Sequence, residues 1–305
     1  KYKFTSYQSI TNNISITDDV IALNNIQLST NVTPQESPEN WFTWNNTQIT
    51  GLSTEGQTQR RIVLPSKATS ITKDTFYNNK TLVSVDMSLT KITRIPDGKI
   101  NYEGAFKNAS NIISISLPPS LNLIGQNSFY GCTSLTSITI PGSVNSINSY
   151  AFSRCNSLTS ITIPDGVSSI GLFTFLGCTS LTSISLPNSI TFISGSAFRD
   201  CSSLTSITIP ESVTSLENSL FYGCTSLTSI TISESINSIG SYVFCDCISL
   251  SSITISGSVN SIGDNAFLNV PSTCVMDVSS TWDQTLATNA NYKGKFNVIS
   301  SLIKY

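Results

Sequence analysis

The residues that could carry out chemistry are few in this chain, and they exclude several mechanisms. The sequence holds 18 Asp and Glu residues and eight Cys residues but no His. Without an imidazole, the chain cannot form a Ser-His-Asp or Cys-His nucleophile, nor a site in which His binds zinc or iron. Carboxylate chemistry and an all-cysteine metal site are the kinds of reactive site that remain.

The carboxylates do not fall into a catalytic pattern. A pair of Asp or Glu residues could hydrolyse a glycoside. However, Asp165, Glu211 and Glu234 follow a Pro or Ser in separate segments, where exposed turn residues are expected. No local motif singles out two of them. The sequence therefore predicts no catalytic residue, no metal ligand, no cofactor and no enzyme activity.

Most of the cysteines recur at a constant spacing, at every twenty-third position. If the intervening segments stack, these thiols lie over one another. They could then form a row of disulfides, a metal-binding row, or a ladder of reduced thiols that pack like small apolar side chains. Parallel side chains suit the disulfide dihedral poorly, which favours the reduced ladder. A bond between the two irregular residues, Cys245 and Cys274, stays open. The regular positions are Cys132, Cys155, Cys178, Cys201, Cys224 and Cys247.

The cysteine spacing is also the period of the whole central region. From Leu135 onward, leucines head units that read L-x-x-I-x-I/L-P/S-x-x-V/I-x-x-I/L-x-x-x-x-F-x-x-C. The alternation of Ile138 with Ser137 and Thr139 predicts a strand with one wet face. Because one unit alone has no partner for its apolar face, neighbouring units must stack into a solenoid.

The stacked units predict a β-rich solenoid, with a parallel sheet on one side and short 3₁₀ or irregular turns on the other, capped at both ends. We expect the phenylalanine of each unit, from Phe129 to Phe267, to form an internal aromatic stack on the turn side. The predicted organisation is an N-terminal β-rich cap over residues 1–58, about nine leucine-rich units over residues 59–272, and a C-terminal cap over residues 273–305.

One unit carries a familiar signature. The string I-T-I-P-G-S-V-N-S-I-N-S-Y-A-F-S-R-C-N-S-L-T-S, residues 138–160, resembles the BspA-like leucine-rich-repeat family in its period and in its Pro, Phe and Cys positions. The resemblance covers about two thirds of the chain. It implies a leucine-rich-repeat solenoid without catalytic residues to carry over. It also implies a surface or secreted protein involved in adhesion to host proteins and neighbouring cells.

Composition restricts the partners that the chain could bind. Only 11% of the residues are charged, the net charge is −2, and no run of 18 apolar residues occurs. These features argue against a nucleic-acid partner and against a membrane-spanning helix in this chain. The family resemblance implies an extracellular or cell-surface location. The expected partner is an extracellular protein, a glycan or copies of the same chain.

Charge is unevenly distributed along the units. Residues 60–107 contain nine Lys and Arg against four Asp and Glu, whereas residues 112–272 contain two against seven. This change of sign predicts that the early units dock an acidic partner, or take part in head-to-tail contact between copies. The candidate partner-binding residues are Arg60, Arg61, Lys67, Lys73, Lys91, Arg94 and Lys99.

The predicted wet face of the sheet is a monotonous ladder of Ser and Thr. Faces that bind proteins normally carry varied aromatic and Arg residues, so uniformity suits a spacer, a lattice or a repetitive ligand such as a glycan or ice. Soluble strand formers on a face without a ligand would give the same pattern. The candidate residues for a repetitive ligand are Ser137, Thr139, Ser160, Thr162, Ser206, Thr208, Ser229 and Thr231.

Sequons of the form Asn-X-Ser/Thr permit N-glycosylation if the source is eukaryotic. All of them precede residue 110, so glycans would leave the regular units bare. The five residues are Asn13, Asn31, Asn45, Asn79 and Asn108.

The favoured function is a non-enzymatic adhesion or protein-interaction scaffold that is secreted or held at the cell surface. An alternative is a structural subunit that stacks end to end into an extracellular fibre or surface layer. A further alternative is glycan or ice binding by the Ser/Thr ladder.

Overall fold

The structure is a computed structural model that describes residues 34–98, 103–257, 259–278 and 297–299. The chain divides into two compact units, Lys1–Pro34 and Gln35–Tyr305, and the repeats lie in the second. Each repeat forms one turn of a solenoid. Each turn supplies a segment to a front row of strands, a shorter segment to a second row, and an irregular turn such as residues 148–155, which we call the outer arc.

The L-x-x-I-x-I segment of each unit builds the front row. In one strand Ile161 is buried while Ser160 and Thr162 are exposed, because successive side chains of a strand point to opposite faces. Neighbouring strands are parallel and in register, with Ser160 opposite Ser183. The strands are β3 Arg61–Val63, β5 Ser84–Asp86, β7 Ser114–Ser116, β10 Ser160–Thr162, β12 Ser183–Ser185, β15 Ser229–Ile232, β17 Ser252–Ile255, β19 Val275–Val278 and β20 Asn297–Ile299.

The V/I-x-x-I/L segment of each unit builds the second row. After the front strand, the N–H of Val144 donates to the carbonyl of Pro141, and this turn redirects the chain. The two-residue strands that follow are again parallel, with Ile147 opposite Ile170. The strands are β4 Ser70–Ile71, β6 Arg94–Ile95, β8 Leu123–Ile124, β9 Ser146–Ile147, β11 Ser169–Ile170, β13 Phe192–Ile193, β14 Ser215–Leu216, β16 Ser238–Ile239 and β18 Ser261–Ile262. The predicted parallel-sheet solenoid is therefore confirmed, with this second row added.

A β-hairpin precedes the regular units. Its strands, β1 Phe42–Asn45 and β2 Gln48–Leu52, are antiparallel, and β2 continues the second row by pairing with β4. The hairpin lies between two short helices, the 3₁₀ helix Glu39–Trp41 and the α-helix α1 Thr54–Gln57. At the other end β20 pairs with β19 in parallel. The domain boundaries at residues 58 and 272 remain a prediction.

The phenylalanines form the internal stack that the repeat predicts. Ring centroids of neighbours from Phe76 to Phe267 lie 4.7–5.7 Å apart, with interplanar angles of 1–20°. No ring of the stack is more than 2% exposed. Offset stacked rings are favourable beyond the area that they bury. The stack therefore stabilises each turn through its neighbours.

The regular cysteines are buried next to this stack. The Sγ atom of Cys178 donates to the carbonyl of Phe152 at 3.1 Å, and the other five repeat this bond to the phenylalanine 26 residues earlier. Burial raises the pKa of the Cys178 thiol to about 12, because a thiolate there would lose its hydration. All eight cysteines are free thiols, including Cys245 and Cys274. The expected packing ladder is confirmed.

The outer arcs are irregular turns, and the helical pieces suggested for this side are absent from the described repeats. In the arc of residues 148–155, Tyr150 and Arg154 have φ angles of 59° and 58°, which a 3₁₀ helix does not allow. The N–H of Phe152 donates to the carbonyl of Thr174 in the next turn at 2.9 Å. Alternate N–H groups thus bond to the neighbouring turn instead of along a helix axis.

Candidate partner-binding surface

The front face exposes the Ser/Thr ladder. All eight candidate residues of this ladder are exposed, and the strands keep equivalent residues side by side, as Thr231 lies opposite Thr254. Their outward orientation is confirmed. A ligand for them stays a prediction.

A second exposed row lies one residue before the ladder, and we call it the threonine row. From Thr159 onward, each hydroxyl in it donates to the backbone carbonyl of the row residue one turn earlier, at 3.0–3.4 Å. These hydroxyl hydrogens are therefore used within the solenoid. The row consists of Thr136, Thr159, Thr182, Thr205, Thr228 and Ser251.

The threonine row changes character at its early end. The equivalent positions there are Arg60, Val83 and Ile113. Backbone hydrogen bonds join these residues to one another and to the row. The N–H of Val83 donates to the carbonyl of Arg60 at 2.6 Å, that of Ile113 to Val83 at 2.8 Å, and that of Thr136 to Ile113 at 3.4 Å. Ile113 is 47% exposed. The early turns therefore replace hydroxyl groups with a cation and two aliphatic side chains.

These replacements line an open groove of about 380 Å³. Its walls come from four neighbouring turns, so the groove runs across the stack. We call it the early groove. Its lining residues are Arg60, Val83, Asn111, Ile113, Ser134, Thr136 and Ser157.

Two of the predicted basic residues lie at or next to the early groove. Arg60 lines it, and Arg61 is the exposed first residue of β3. Neither forms an ion pair within 4.0 Å in the described part of the chain. Their charges are therefore available to an acidic partner.

Two other predicted basic residues are neutralised by carboxylates. The Lys67 Nζ atom lies 2.5 Å from Glu39 and 4.6 Å from the centre of the Trp44 ring. Lys73 forms an ion pair with Glu103, and the hydrogen bond to this carboxylate raises the pKa of the lysine. Both cations therefore already have an anionic partner within the chain.

The remaining basic candidates do not gather at the groove. Arg94 is exposed in β6 of the second row, and Lys91 is exposed in the segment that leads to it. Lys99 lies outside the described residues. The basic residues of the early units are thus divided between the faces of the solenoid.

The sequons differ in their surroundings. Asn45 is exposed at the end of β1, where the hairpin turns. Asn79 is half-buried, and its side-chain oxygen accepts hydrogen bonds from the N–H groups of Thr81 and Leu82 at 2.9 and 2.8 Å. Asn108 is half-buried, whereas Asn13 and Asn31 lie outside the described residues.

The described residues hold no arrangement of three or more Cys, Asp and Glu side chains suited to a metal ion. Asp165, Glu211 and Glu234 are exposed and belong to different turns. Among the helices of the described ranges, none has the length and apolarity needed to cross a bilayer.

The early groove was not predicted, because none of its lining residues belongs to the two outward-facing positions of the front strand. The signal is present one position earlier. Reading Thr136 back by one unit at a time gives Ile113, Val83 and Arg60, so the change from hydroxyl to aliphatic and cationic side chains is visible once this row is aligned.

The fold is a leucine-rich-repeat solenoid. It is defined by rows of parallel strands in register, an internal phenylalanine stack and turns that repeat at every twenty-third position. The sequence matches the model of the BspA type leucine rich repeat region in six copies, over residues 53–156, 99–227 and 145–274. The chain belongs to this family. Leucine-rich-repeat proteins bind other proteins. No curated protein matches the chain.

Solved structures of bacterial leucine-rich-repeat proteins are similar to this chain. The Treponema pallidum leucine-rich-repeat protein is 29% identical with a TM-score of 0.52, and the match covers 71% of this chain and 91% of that one. A leucine-rich cell surface protein of Faecalibacterium prausnitzii is 26% identical with a TM-score of 0.58, covering 81% and 76%. A leucine-rich repeat protein of Bacteroides ovatus is 24% identical with a TM-score of 0.60, and the match covers 83% of this chain and 71% of that one. This likeness supports the fold alone.

Proposed function

We propose that the protein is a non-enzymatic interaction scaffold, secreted or held at the cell surface, that binds an acidic region of an extracellular protein in the early groove. The observation that carries this proposal is the replacement of the threonine row by Arg60, Val83 and Ile113. The name of the Faecalibacterium protein, a leucine rich cell surface protein, supports the location.

The chemistry of the early groove suits a protein partner. Exposed aliphatic side chains within a polar rim are typical of interaction sites, and desolvated Arg residues are frequent binding hot spots. Ile113 supplies the apolar contact, while Arg60 and Arg61 supply charge at its edge. The later turns from Thr136 to Ser251 present only hydroxyl groups at the equivalent positions, which restricts the proposed contact to the early units.

The repeat itself provides the test. The V83T/I113T variant converts the early groove to the residue that the later turns already carry, so its fold is expected to be retained. We expect V83T/I113T and R60E/R61E each to weaken binding to positive members of an array of immobilised extracellular-matrix proteins at least tenfold.

The matched control is Thr205→Ile, which adds an isoleucine to the threonine row far from the cations. It should leave matrix binding unchanged. Binding that survives both groove variants would remove the early groove from the proposal, and equal loss in the Thr205→Ile control would indicate a general effect of altering the row.

A further inference from the structure

The outer arcs contain a second unusual surface. Each arc of the regular units has two residues at positive φ, four positions apart. Small or flexible residues suit these positions, and Asn127, Gly131, Gly177 and Ser196 occupy them in neighbouring arcs. Bulky side chains are disfavoured there, because the β-carbon crowds the following carbonyl oxygen.

Three adjacent positions of this kind break the rule. Tyr150, Arg154 and Phe173 have φ angles of 59°, 58° and 56°. Backbone strain that the fold does not need is a feature of functional sites. Since neighbouring arcs adopt the same backbone with Asn, Gly or Ser, the large side chains are not required for folding.

The two aromatic rings form an outward-facing platform. The rings of Tyr150 and Phe173 stack with centroids 4.9 Å apart and an interplanar angle of 29°. Both residues are half-buried, unlike the fully buried Phe152 and Phe175 of the internal stack. Leu172 beside them is 41% exposed. The stacked pair is thus open to a ligand.

Two cations lie over Tyr130, which belongs to the preceding outer arc. The Lys107 Nζ atom and the Arg154 guanidinium lie 4.8 and 5.9 Å from the centre of the Tyr130 ring. Burial raises the pKa of Tyr150 by disfavouring the charged phenolate, and the nearby Tyr130 adds to this rise. Arg154 belongs to the same outer arc as Tyr150, and its guanidinium reaches the Tyr130 ring in the preceding arc. We call the surface of these rings and cations on neighbouring arcs the arc platform.

The charge of the arc platform is not compensated. The four ion pairs of the described residues involve neither Lys107 nor Arg154. Lys107 is 6% exposed as a residue, and its Nζ atom lies over the Tyr130 ring and not beside a carboxylate. Burial lowers the pKa of Lys107, so an anion would stabilise its charged form.

We propose that the arc platform is a binding site for an acidic oligosaccharide. The apolar face of a sugar ring packs on the stacked rings of Tyr150 and Phe173, and the acidic groups of the sugar lie near Lys107 and Arg154. This site goes beyond the proposed function, because it lies on the outer arcs and not on the front row. An acidic peptide fits less well, since the N–H groups of Tyr150, Phe152 and Arg154 already bond to the next turn.

The solenoid contains a matched contrast. Among the described residues, Tyr242 is the third aromatic residue at such a position, with φ 60°, and it is 39% exposed. In its surroundings Arg199 lies 3.5 Å from Asp200, and Tyr222 hydrogen-bonds to Asp246. Carboxylates thus offset the cation there, and Tyr242→Asn serves as the control.

The test measures binding to defined hexasaccharides by isothermal titration calorimetry. The probes are hyaluronan hexasaccharide, with carboxylates, heparin-derived hexasaccharide, with sulfates, neutral chitohexaose, and hexaglutamate as the acidic peptide. We expect at least one acidic saccharide to bind at least tenfold more tightly than chitohexaose and hexaglutamate. The Y150N/F173N variant should weaken this binding at least tenfold, and K107Q/R154G should do the same.

Stability separates a binding role from a structural one. Asn fits the positive-φ position, as Asn127 and Asn265 demonstrate, so Y150N/F173N should unfold at the same temperature as the parent chain or a higher one. Tyr242→Asn and the groove variant V83T/I113T should leave saccharide binding unchanged. The proposal is overturned if neither acidic saccharide binds at millimolar concentration, if chitohexaose or hexaglutamate binds as tightly, or if Tyr242→Asn weakens binding as much as Y150N/F173N.

Discussion

Replacement of a central stacked ring gives a quantitative test of the solenoid core. Phe175 is fully buried, and its ring lies 5.7 Å from that of Phe152 and 5.6 Å from that of Phe198. Removing a buried Phe side chain to Ala costs about 3–5 kcal/mol through lost apolar burial and the cavity that remains. We expect a loss of this size in the free energy of unfolding of Phe175→Ala.

The Phe175→Leu variant separates ring stacking from apolar burial. Leucine keeps most of the buried apolar surface but cannot form the two ring pairs, each worth about 0.5–1.5 kcal/mol. The expected loss for Phe175→Leu is therefore about 1–3 kcal/mol, smaller than for Phe175→Ala. Both variants should unfold cooperatively in urea, followed by far-UV circular dichroism. A loss below about 1 kcal/mol for Phe175→Ala would refute the buried stack.

Three further changes test the thiol ladder, the outer arc and the front face. Burial raises the pKa of Cys132 and Cys178 from 9.0 to about 12. As the pH rises, these thiols therefore lose their protons in the unfolded chain before they do so in the folded chain. The free energy of unfolding should decline between pH about 9 and about 12. Urea titrations across this range should show a weaker decline in C132A/C178A, and equal slopes would contradict the ladder. Gly177 has φ +67°, and the nearest atom lies 3.7 Å from an added β-carbon. Gly177→Ala should therefore cost about 1 kcal/mol of stability from backbone strain alone. Thermal denaturation should find Gly177→Asn less destabilised than Gly177→Ala, and the reverse order would argue against a positive φ. Thr162 is exposed on the front face, so Thr162→Lys should change the free energy of unfolding by less than about 0.5 kcal/mol, and a larger loss in urea would show that the ladder is structural.

The period of the sequence was sufficient to predict the strands and the core. Leu135, Ile138, Phe152 and Cys155 occupy unit positions that recur at every twenty-third place, and side chains that recur at the period of a stack must lie over one another. Burial of these types follows from the hydrophobic effect alone. This explains why the front row, the phenylalanine stack and the thiol ladder were all predictable.

The conformation of the outer arcs was not predictable from residue types. The positive-φ positions hold residues as different as Asn127, Tyr150, Phe173 and Ser219, and these types do not share a turn preference. The backbone there is set by hydrogen bonds to the next turn, which form only after stacking. Tertiary bonding thus overrides local preference in the arcs.

The candidate sites were predictable only in part. The excess of positive charge in the early units singled out Arg60 and Arg61 as candidates, and their role in binding stays a prediction. The pairing of Lys67 with Glu39 depends on contacts between segments 28 residues apart, which the sequence does not specify. The early groove and the arc platform needed the three-dimensional alignment of neighbouring turns.

Deletion of one complete unit tests most directly whether the repeats form one continuous stack. Removing residues 156–178 takes out one full period and should place Phe152 next to Phe198 and Cys155 next to Cys201. This variant should keep the far-UV circular dichroism per residue of the parent chain and unfold cooperatively in urea. Removing residues 156–167 breaks the period and should abolish cooperative unfolding. If both deletions unfold the chain equally, or both leave it folded, the turns are not stacked by their repeated side chains.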